Sequence, residues 1–320
     1  MTRRILISGV GGVVGYGVLR SLRAHCPGFH LIGSDIHEHA VGRAWADEFV
    51  HAPSAASAQW PEWLAGLMRS SRVELFIPTL DPELDRFILD PELESRLPAP
   101  VALPGCATLE VSQDKWLLHE MLEGDPARIP SSLDVDYARL ARLLGSPFLA
   151  KPRSGYGSRG ICRIGSEAEF AAVRAGFPEQ LFAQQIVGNT DAEYTVGVFG
   201  DGAGGVAASI TLQRWLDPGG TTTRVRSSGE VPEIEAAVTR ITRMLRPSGA
   251  INMQFRIDHG EARLLEINAR ISSSSSLRRL FGYNEAAMLV RYQLEGAVPT
   301  QPEILHGKAV RYIEDSAVLE

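Results

Sequence analysis

Residues 264–271 of this 320-residue chain alternate polar and apolar side chains in a way that could hold a metal ion. Because neighbouring side chains of a β-strand point to opposite faces, Glu266, Asn268 and Arg270 are expected to share one face. The opposite face is apolar and consists of Leu265, Ile267, Ala269 and Ile271. Carboxylate and amide oxygens suit Mg²⁺, and an arginine beside them would stabilise a phosphoryl group during its transfer.

A second strand is expected to pair with this one. Residues 250–257 alternate in the same way and run into the turn residues 258–260, whose Asp-His-Gly sequence favours a hairpin. This turn places Gln254 opposite Glu266, and directly opposed side chains lie about 5 Å apart at Cβ. The hairpin therefore predicts a metal site made by Gln254, Glu266 and Asn268. A solvated amphipathic strand is the alternative, and the convergence of these side chains with an arginine favours the site.

A glycine-rich loop follows a predicted strand at residues 148–151. Lys151 stands at the base of this loop, and the small residues that follow it are Ser154, Gly155, Gly157, Ser158 and Gly160. Backbone N–H groups of such a loop can surround a polyphosphate, and Lys151 can add a positive charge. The loop lacks the Gly-Lys-Ser/Thr ending of the Walker pattern, and a plain surface hairpin is the alternative.

The rest of the sequence predicts the elements that position these groups. In the first hundred residues, strands at 4–8, 30–34 and 74–78 alternate with helical patterns, which indicates βαβ units and a parallel sheet. Later strands are expected at 182–187, 194–199, 207–213 and 262–271, with helices at 115–122 and 232–245. The proline-rich residues 97–104 look like a connection between the two parts. Residues 219–226 are expected to form a loop, which could close over phosphate or substrate, and a solvated loop is an equal alternative.

The composition excludes several classes of protein. A net charge of −6 argues against broad nucleic-acid binding. Three scattered cysteines argue against a disulfide framework and suit a reducing cytoplasm. Glycines interrupt the uncharged run after Arg4, which favours a buried strand and turn over a signal peptide, and no stretch is long enough to span a membrane. We therefore expect a cytoplasmic protein that binds neither nucleic acid nor membrane.

The motifs occur in an order that resembles the ATP-grasp superfamily, and most closely the small stand-alone relatives of the carbamoyl-phosphate synthase large subunit. The motifs that carry this resemblance are Ser112-Gln113-Asp114-Lys115, Lys151-Pro152 with its glycine loop, Gln184-Gln185-Ile186-Val187, Glu193-Tyr194-Thr195-Val196, Asn252-Met253-Gln254-Phe255 and Leu265-Glu266-Ile267-Asn268-Ala269-Arg270. Their combined order is more specific than any single motif. The resemblance spans roughly residues 105–295.

The resemblance implies an α/β fold in three parts. An N-terminal parallel-sheet domain of the Rossmann-like, pre-ATP-grasp kind would cover residues 1–108. A two-lobed α+β ATP-grasp domain would follow, with the small lobe and its glycine loop at 109–182 and the C-terminal lobe with the metal site at 183–320.

The resemblance also implies a role for each motif residue. Lys115 and Lys151 would contact ATP phosphates, and the loop from Ser154 to Gly160 would close over them. Gln184, Gln185, Ile186 and Val187 would hold the adenine, and Glu193 would bind the ribose. Gln254, Glu266 and Asn268 would hold Mg²⁺, with Mn²⁺ as an alternative, while Lys151 and Arg270 would act in catalysis. Gln185 and Gln254 depart from the family, which often has acidic residues at these two positions.

The implied activity is an ATP-dependent ligase that activates a small carboxylate as an acyl phosphate, which an amine then attacks. The chain corresponds to one half of the synthase subunit, so synthesis of carbamoyl phosphate is not expected as its complete activity. Two alternatives stay open: a regulator that binds ATP without turnover, and an NAD(P)-dependent dehydrogenase suggested by the glycines at 9–15 and by Asp35. The oligomeric state also stays open, with a homodimer as one option.

Overall fold

The computed structural model describes residues 2–155, 160–176, 181–227 and 229–312, and within them the chain forms three β-sheets. The strands are β1 (Arg4–Ile7), β2 (His30–Asp35), β3 (Glu48–His51), β4 (Leu75–Ile77), β5 (Ser131–Ser132), β6 (Phe148–Pro152), β7 (Cys162–Ile164), β8 (Leu181–Gln184), β9 (Glu193–Asp201), β10 (Val206–Leu216), β11 (Thr222–Ser227), β12 (Ser248–Asp258), β13 (Glu261–Asn268) and β14 (Gly307–Val310). The α-helices are α1 (Val13–His25), α2 (Trp60–Ser70), α3 (Asp81–Leu89), α4 (Leu93–Arg96), α5 (Cys106–Gln113), α6 (Lys115–Met121), α7 (Tyr137–Leu144), α8 (Glu167–Gly176), α9 (Pro232–Leu245), α10 (Ser275–Arg278) and α11 (Glu285–Glu295). Short 3₁₀ helices lie at Val41–Ala44, Thr190–Ala192 and Arg279–Phe281. Among the helices so described, none is long and apolar enough to cross a membrane.

The first sheet is parallel, as the βαβ pattern predicts, and its strand order is β3-β2-β1-β4. Ile5 of β1 pairs with Leu31 of β2 and with Leu75 of β4. Helix α1 covers one face and α2 the other, which is the double cover that a parallel sheet needs. Phe76 also pairs with Val101, so the proline-rich stretch is more than a connection and extends this sheet.

A buried carboxylate holds the end of β1 against the start of α3. Oε2 of Glu83 accepts hydrogen bonds from Oγ of Ser8 at 2.5 Å and from the amides of Thr79 and Leu80, both at 3.3 Å. Gly9, the next residue after Ser8, has φ +58, and a Cβ there would lie 2.7 Å from Leu80. Burial raises the pKa of Glu83 to about 7 despite these hydrogen bonds.

The second sheet is antiparallel, has the strand order β5-β8-β6-β7, and is tied to the start of α6. Asp114 is the N-cap of that helix, since its carboxylate accepts from the amides of Trp116 and Leu117 at 2.8 and 3.3 Å. Arg153, just after β6, donates to the same carboxylate at 2.7 to 3.0 Å. The base of the glycine loop is therefore anchored to helix α6.

The third sheet is antiparallel, and its strand order is β13-β12-β9-β10-β11-β14. The predicted hairpin is confirmed, because His259 and Gly260 between β12 and β13 have φ 51 and φ 80, as a type I′ turn requires. Gln254 pairs with Glu266, as the turn predicts. The apolar side of the hairpin packs against α9.

One prediction about the faces of this hairpin is wrong. Phe255 pairs with Leu264, whereas Gln254 pairs with Glu266, so Leu265 is the extra residue of a β-bulge. Leu264 therefore packs in the core beneath α9, where Leu265 was expected. Leu265 instead lines the cavity that contains Lys151.

Two boundaries also differ from the predictions. Residues 222–227 form strand β11 rather than a loop, because their β-branched residues alternate with arginines and pair with β10 and β14. Strand β8 ends at Gln184, because the amide of Gln185 donates to the carbonyl of Pro130 outside the ladder of strand pairs. The division of the chain after residues 108 and 182 remains a prediction, and its second boundary falls within β8.

We predict that Glu83→Gln changes how the stability of the fold depends on pH. The pKa of Glu83 is about 7 in the folded protein and near its ordinary value of 4.5 in the unfolded chain. Because the unfolded chain loses this proton first, the free energy of unfolding falls as the pH rises from 4.5 to about 7. The variant keeps an acceptor oxygen and cannot ionise. The variant's free energy of unfolding minus that of the parent should therefore increase by about 2 kcal/mol between pH 5 and pH 8. Denaturant unfolding at both pH values measures this, and a pH-independent difference would contradict it.

Candidate functional site

Two lysines lie together where the second sheet meets α6. Lys151 of β6 is buried, and its Nζ donates to Oε1 of Gln184 at 2.7 Å. Lys115 is the first residue of α6, and its Nζ donates to the carbonyl of Gly155 at 3.0 Å. Burial, and then the charge of Lys115, lowers the pKa of Lys151 to about 8, and burial also lowers the pKa of Lys115. Lysines whose charge is disfavoured in this way would be stabilised by an anion.

The glycine loop after Lys151 is described at its two ends. Ser154 pairs with Asp114 in an isolated antiparallel bridge. Gly155 and Gly160 have φ +137 and φ +73, backbone conformations that favour glycine. The other two loop residues predicted to contact phosphate, Gly157 and Ser158, lie outside the described residues.

The residues predicted to hold an adenine connect the second sheet to the third: Gln184, Gln185, Ile186 and Val187. The side chain of Gln184 points into the second sheet, where its Nε2 donates to Oγ of Ser131 at 3.1 Å. The amide of Gln185 donates to Pro130 at 2.9 Å. The contact with an adenine, which backbone groups of residues 184–187 would make, remains a prediction.

Glu193, predicted to bind a ribose, is buried at the start of β9 between two arginines. Its Oε1 accepts from Nε and Nη2 of Arg214 at 3.0 and 2.6 Å. Its Oε2 accepts from Nε and Nη2 of Arg256 at 3.0 and 2.9 Å. A ribose hydroxyl would have to share a carboxylate that two guanidinium groups already hold, and the ribose contact remains a prediction.

The three predicted metal ligands lie on neighbouring strands but in different surroundings. Glu266 is exposed, and Nδ2 of Asn268 lies 3.4 Å from its Oε1. Gln254 pairs with Glu266 across the hairpin, yet its Oε1 accepts a hydrogen bond from Arg214. Because Gln254 contacts a cation, Glu266 and Asn268 are better placed to bind a metal ion.

The place of Arg270 on the face of Glu266 and Asn268 remains a prediction, because the strand does not extend as far as Arg270. Strand β13 ends at Asn268, and the guanidinium of Arg270 turns toward the first sheet. Its Nε and Nη2 donate to the two carboxylate oxygens of Asp81 at 3.0 and 2.7 Å. Asp81 is the first residue of α3, so this ion pair joins the end of the hairpin to the N-terminal sheet.

One cavity brings together side chains from all three parts of the fold: Asp81, Gln113, Lys115, Glu266 and Asn268. The charge of Glu266 acts on Lys115 and opposes the effect of burial on the lysine pKa. Carboxylates and a lysine in one cavity suit an anion that carries a metal ion, because the carboxylates can bind the metal ion and the lysine can bind the anion.

The sequence predictions miss Asp81 and Arg214. Asp81 follows the carboxyl end of a parallel strand, where α/β proteins place ligands, and that position could have indicated it. Arg214 continues the buried face of Ile210 and Leu212 on β10, so an arginine in an apolar alternation was the available signal.

Comparison with known proteins supports one class of protein. The profile of a family described as "ATP-grasp in the biosynthetic pathway with Ter operon" matches residues 179–316. Over 189 residues the chain is 26% identical to the carbamoyl phosphate synthase large chain of Methanothrix thermoacetophila. Both matches support an ATP-grasp superfamily protein. The match covers 53% of this chain and 17% of the synthase chain, so the activity of the whole synthase does not transfer directly.

Solved structures of two enzymes share the fold over nearly the whole chain. N5-carboxyaminoimidazole synthetase from Staphylococcus aureus, complexed with ADP, has a TM-score of 0.75 and 16% identity, and the match covers 95% of this chain and 81% of that chain. The biotin carboxylase domain dimer of the 2-oxoglutarate carboxylase of Hydrogenobacter thermophilus, in complex with MgADP, ADP and bicarbonate, has a TM-score of 0.75 and 19% identity, with coverage of 96% and 73%. Identities this low establish a common fold.

We predict that Arg270 and Asp81 are energetically coupled in the folded protein. Both side chains are mostly buried and form a bidentate pair, so removing either leaves the other without its partner. A double-mutant cycle of Arg270→Ala and Asp81→Ala should give a coupling energy on the order of 1–3 kcal/mol in denaturant unfolding. The exposed pair of Arg96 and Asp90 is the control and should show much weaker coupling, because solvent screens it. Equal coupling in the two pairs would contradict the prediction.

Proposed function

We propose that this chain is a carboxylate–amine ligase that uses ATP and Mg²⁺ to activate a carboxylate as an acyl phosphate. The observation that carries the proposal is the cavity in which Glu266 and Asn268 face Lys115. Lys115 also lines the adjoining cavity that contains Lys151. The match to an ATP-grasp family supports the proposal, as do the ADP and MgADP in the structures of the two relatives.

The donors present fit one Mg²⁺ that also binds phosphate. Glu266 offers a carboxylate, and Asn268 offers an amide oxygen once its side chain is turned to present it. Gln254 would join them only if Arg214 released its oxygen. Within the described residues, no group of three or more His, Cys, Asp or Glu could hold a metal ion. Phosphate oxygens would therefore have to complete the shell, and when bound the ion would neutralise phosphate charge.

The first proposed step is transfer of the γ-phosphoryl group. An oxygen of the substrate carboxylate attacks the γ-phosphorus of ATP, the acyl phosphate forms, and ADP leaves. Lys115 and Lys151 would donate to phosphate oxygens in this step. Arg270 uses three of its five N–H donors on Asp81 and on the carbonyl of Ile271, which leaves two for the transferring group.

The second proposed step is attack by an amine. The amine nitrogen forms a bond with the acyl carbon, the bond between that carbon and the phosphate oxygen breaks, and inorganic phosphate leaves. The nitrogen loses a proton, and the product is an amide. The cations that bind the transferring group would also stabilise the departing phosphate.

A regulator that binds ATP without turnover is the second candidate. The arginines on Glu193 and Gln254 favour it, because two of the predicted ATP and metal ligands are already engaged. A screen of amino acids and small carboxylates for substrate-dependent ADP formation separates the two candidates.

A dehydrogenase is disfavoured because Asp35 accepts from the amides of Gly11 and His37 at 2.7 and 2.9 Å and so closes the glycine turn. A homodimer remains a prediction.

We predict that Glu266→Gln abolishes substrate-dependent ADP formation. This change keeps the shape of the side chain and removes the only formal negative charge among the three predicted ligands, so Mg²⁺ with ATP is no longer held. Turnover should fall by more than about 100-fold, while the melting temperature and ATP affinity without Mg²⁺ stay near parental values. Enzyme-coupled ADP detection, calorimetry and thermal unfolding measure the three quantities.

Glu261→Gln provides a matched control for this prediction. Glu261 lies at the other end of β13 and forms an exposed ion pair with Arg263, which is worth little stability. The control loses the same charge from the same strand and should keep parental turnover. Near-parental turnover of Glu266→Gln itself would show that the hairpin is not the metal site.

We predict that ATP binding weakens as the pH rises above about 8. Lys151 loses its proton near that pH in the free protein, and bound phosphates would favour the protonated form, so binding takes up a proton. The affinity should fall by up to about tenfold per pH unit. Calorimetry at several pH values, in buffers with different ionisation enthalpies, measures affinity and proton uptake together.

Lys151→Arg tests whether Lys151 is the group that titrates. Arginine stays charged over this range, so the variant should show a flatter pH dependence. The other charged groups that act on Lys151 are Lys115, Glu266 and Arg256. The same pH dependence in parent and variant would show that Lys151 is not the titrating group.

A further inference from the structure

Three arginines lie together without a carboxylate partner among the residues that the structure describes: Arg20, Arg279 and Arg311. Four other buried or half-buried arginines differ, because Arg214, Arg256, Arg270 and Arg278 each form an ion pair. In a chain with a net charge of −6, three adjacent arginines without an acidic partner are unusual. Positive charge left uncompensated in this way is typical of a site for an anion.

Contacts across helix α1 place the three arginines close to one another. Nη1 of Arg311 donates to the hydroxyl of Tyr16 at 3.3 Å. The ring of Tyr16 stacks on Trp45 with centroids 6.0 Å apart, and the guanidinium of Arg20 lies 5.3 Å from the Trp45 centroid. Tyr16 and Arg20 are one helical turn apart, so they lie on the same face of α1.

Arg279 reaches this group from the segment that follows α10. It begins the 3₁₀ helix after α10, and α10 packs closely on α1, since a Cβ at Gly17 would lie 3.6 Å from Cβ of Ser276. Burial lowers the pKa of Arg279, and the charge of Arg20 is the second cause. Nε of Arg279 is buried without a hydrogen-bond partner among the described atoms. Both facts indicate a charge that lacks a partner and faces a second positive charge.

The arginine cluster is joined through Arg311 to the segment that follows Arg270. Nη2 of Arg311 donates to the carbonyl of Ser273 at 2.7 Å, and Ser273 is three residues after Arg270. Three residues span no more than about 11 Å between Cα atoms. A substrate that reaches Arg270 with its reacting end could therefore reach the cluster with another group.

We propose that Arg20, Arg279 and Arg311 bind an oxyanion group, a phosphate or a carboxylate, of the second substrate. The inference rests on the proposed ligase function for the role of that substrate, whereas binding of the oxyanion itself does not depend on turnover. Arg311 uses three of its five N–H donors on Thr222, Tyr16 and Ser273, and so keeps two. The guanidinium groups of Arg20 and Arg279 make no hydrogen bond to another described residue, so their donors can pair with oxyanion oxygens.

The experiment measures binding of inorganic phosphate and of citrate by calorimetry at constant ionic strength. The parent should bind at least one probe saturably, and Arg279→Gln and Arg20→Gln should each weaken that binding by about tenfold or more. The probe whose affinity falls further identifies the group as phosphate or carboxylate. Arg142→Gln is the matched control, since it removes the same charge from an exposed position on α7.

Lys151→Ala distinguishes this cluster from the proposed ATP site. Probe binding that survives Lys151→Ala and is lost in Arg279→Gln supports the cluster. The opposite pattern would place the probe at the ATP site and overturn the proposal, as would the absence of saturable binding to the parent. Probe binding without any substrate-dependent ADP formation would count against the ligase and leave the oxyanion site standing.

Thermal unfolding adds a readout that separates ligand binding from a structural role. Arg20→Gln and Arg279→Gln each remove one of two charges that repel each other, so the melting temperature should stay level or rise. A fall of several degrees in both variants, in step with the loss of binding, would show that the arginines hold the fold together and would overturn the proposal.

Discussion

The polar face of the third sheet depends on the buried carboxylate of Glu193. It pairs with Arg214 of β10 and Arg256 of β12, the two strands that flank its own strand β9. Without Glu193, two guanidinium groups would lie in a buried site with no compensating charge, a cost of several kcal/mol. Arg214 in turn donates to the amide oxygen of Gln254, one of the three predicted metal ligands. The surroundings of the candidate metal site are therefore set by an ion pair one strand away.

This arrangement has a consequence for the charge of the proposed site. Many ATP-grasp proteins are expected to use two acidic residues at the metal, whereas this chain has Gln254 at one of those positions and a cation beside it. Glu266 and Asn268 would then form a weak site for a hydrated Mg²⁺. An ion would be retained only together with phosphate oxygens. Weak affinity of the free protein for metal is thus compatible with metal-dependent chemistry, and it would couple the metal to the nucleotide.

The sequence predicted those features that depend on local pattern. The Asp258-His259-Gly260 turn sets the register of the hairpin, and the pairing of Gln254 with Glu266 follows from it. The bulge was missed because Leu264 and Leu265 are equally apolar, so alternation alone does not show which one enters the core. The parallel first sheet was predicted because βαβ units have a clear pattern of strands, glycine turns and helices.

Partners that are distant in sequence could not be predicted in this way. Arg270 pairs with a carboxylate 189 residues away, and Arg214 with one 21 residues away on the next strand. An alternating pattern shows that such a side chain lies on a given face, but the tertiary packing decides whether it meets a carboxylate, a metal ion or solvent. For Arg270 and Gln254, the sequence therefore predicted the residue and missed the contact.

The distribution of paired and unpaired cations separates two kinds of role in this protein. Arg278 is fully buried and bound bidentately by the carboxylate of Glu285, so its charge is already satisfied within the fold. Lys151 and Arg279 are also largely or partly buried, yet burial lowers the pKa of each and a neighbouring cation lowers it further. A carboxylate beside either one would stabilise the empty protein and would compete with any anionic ligand. Uncompensated charge of this kind costs stability, and an anion that neutralises it recovers that free energy as affinity.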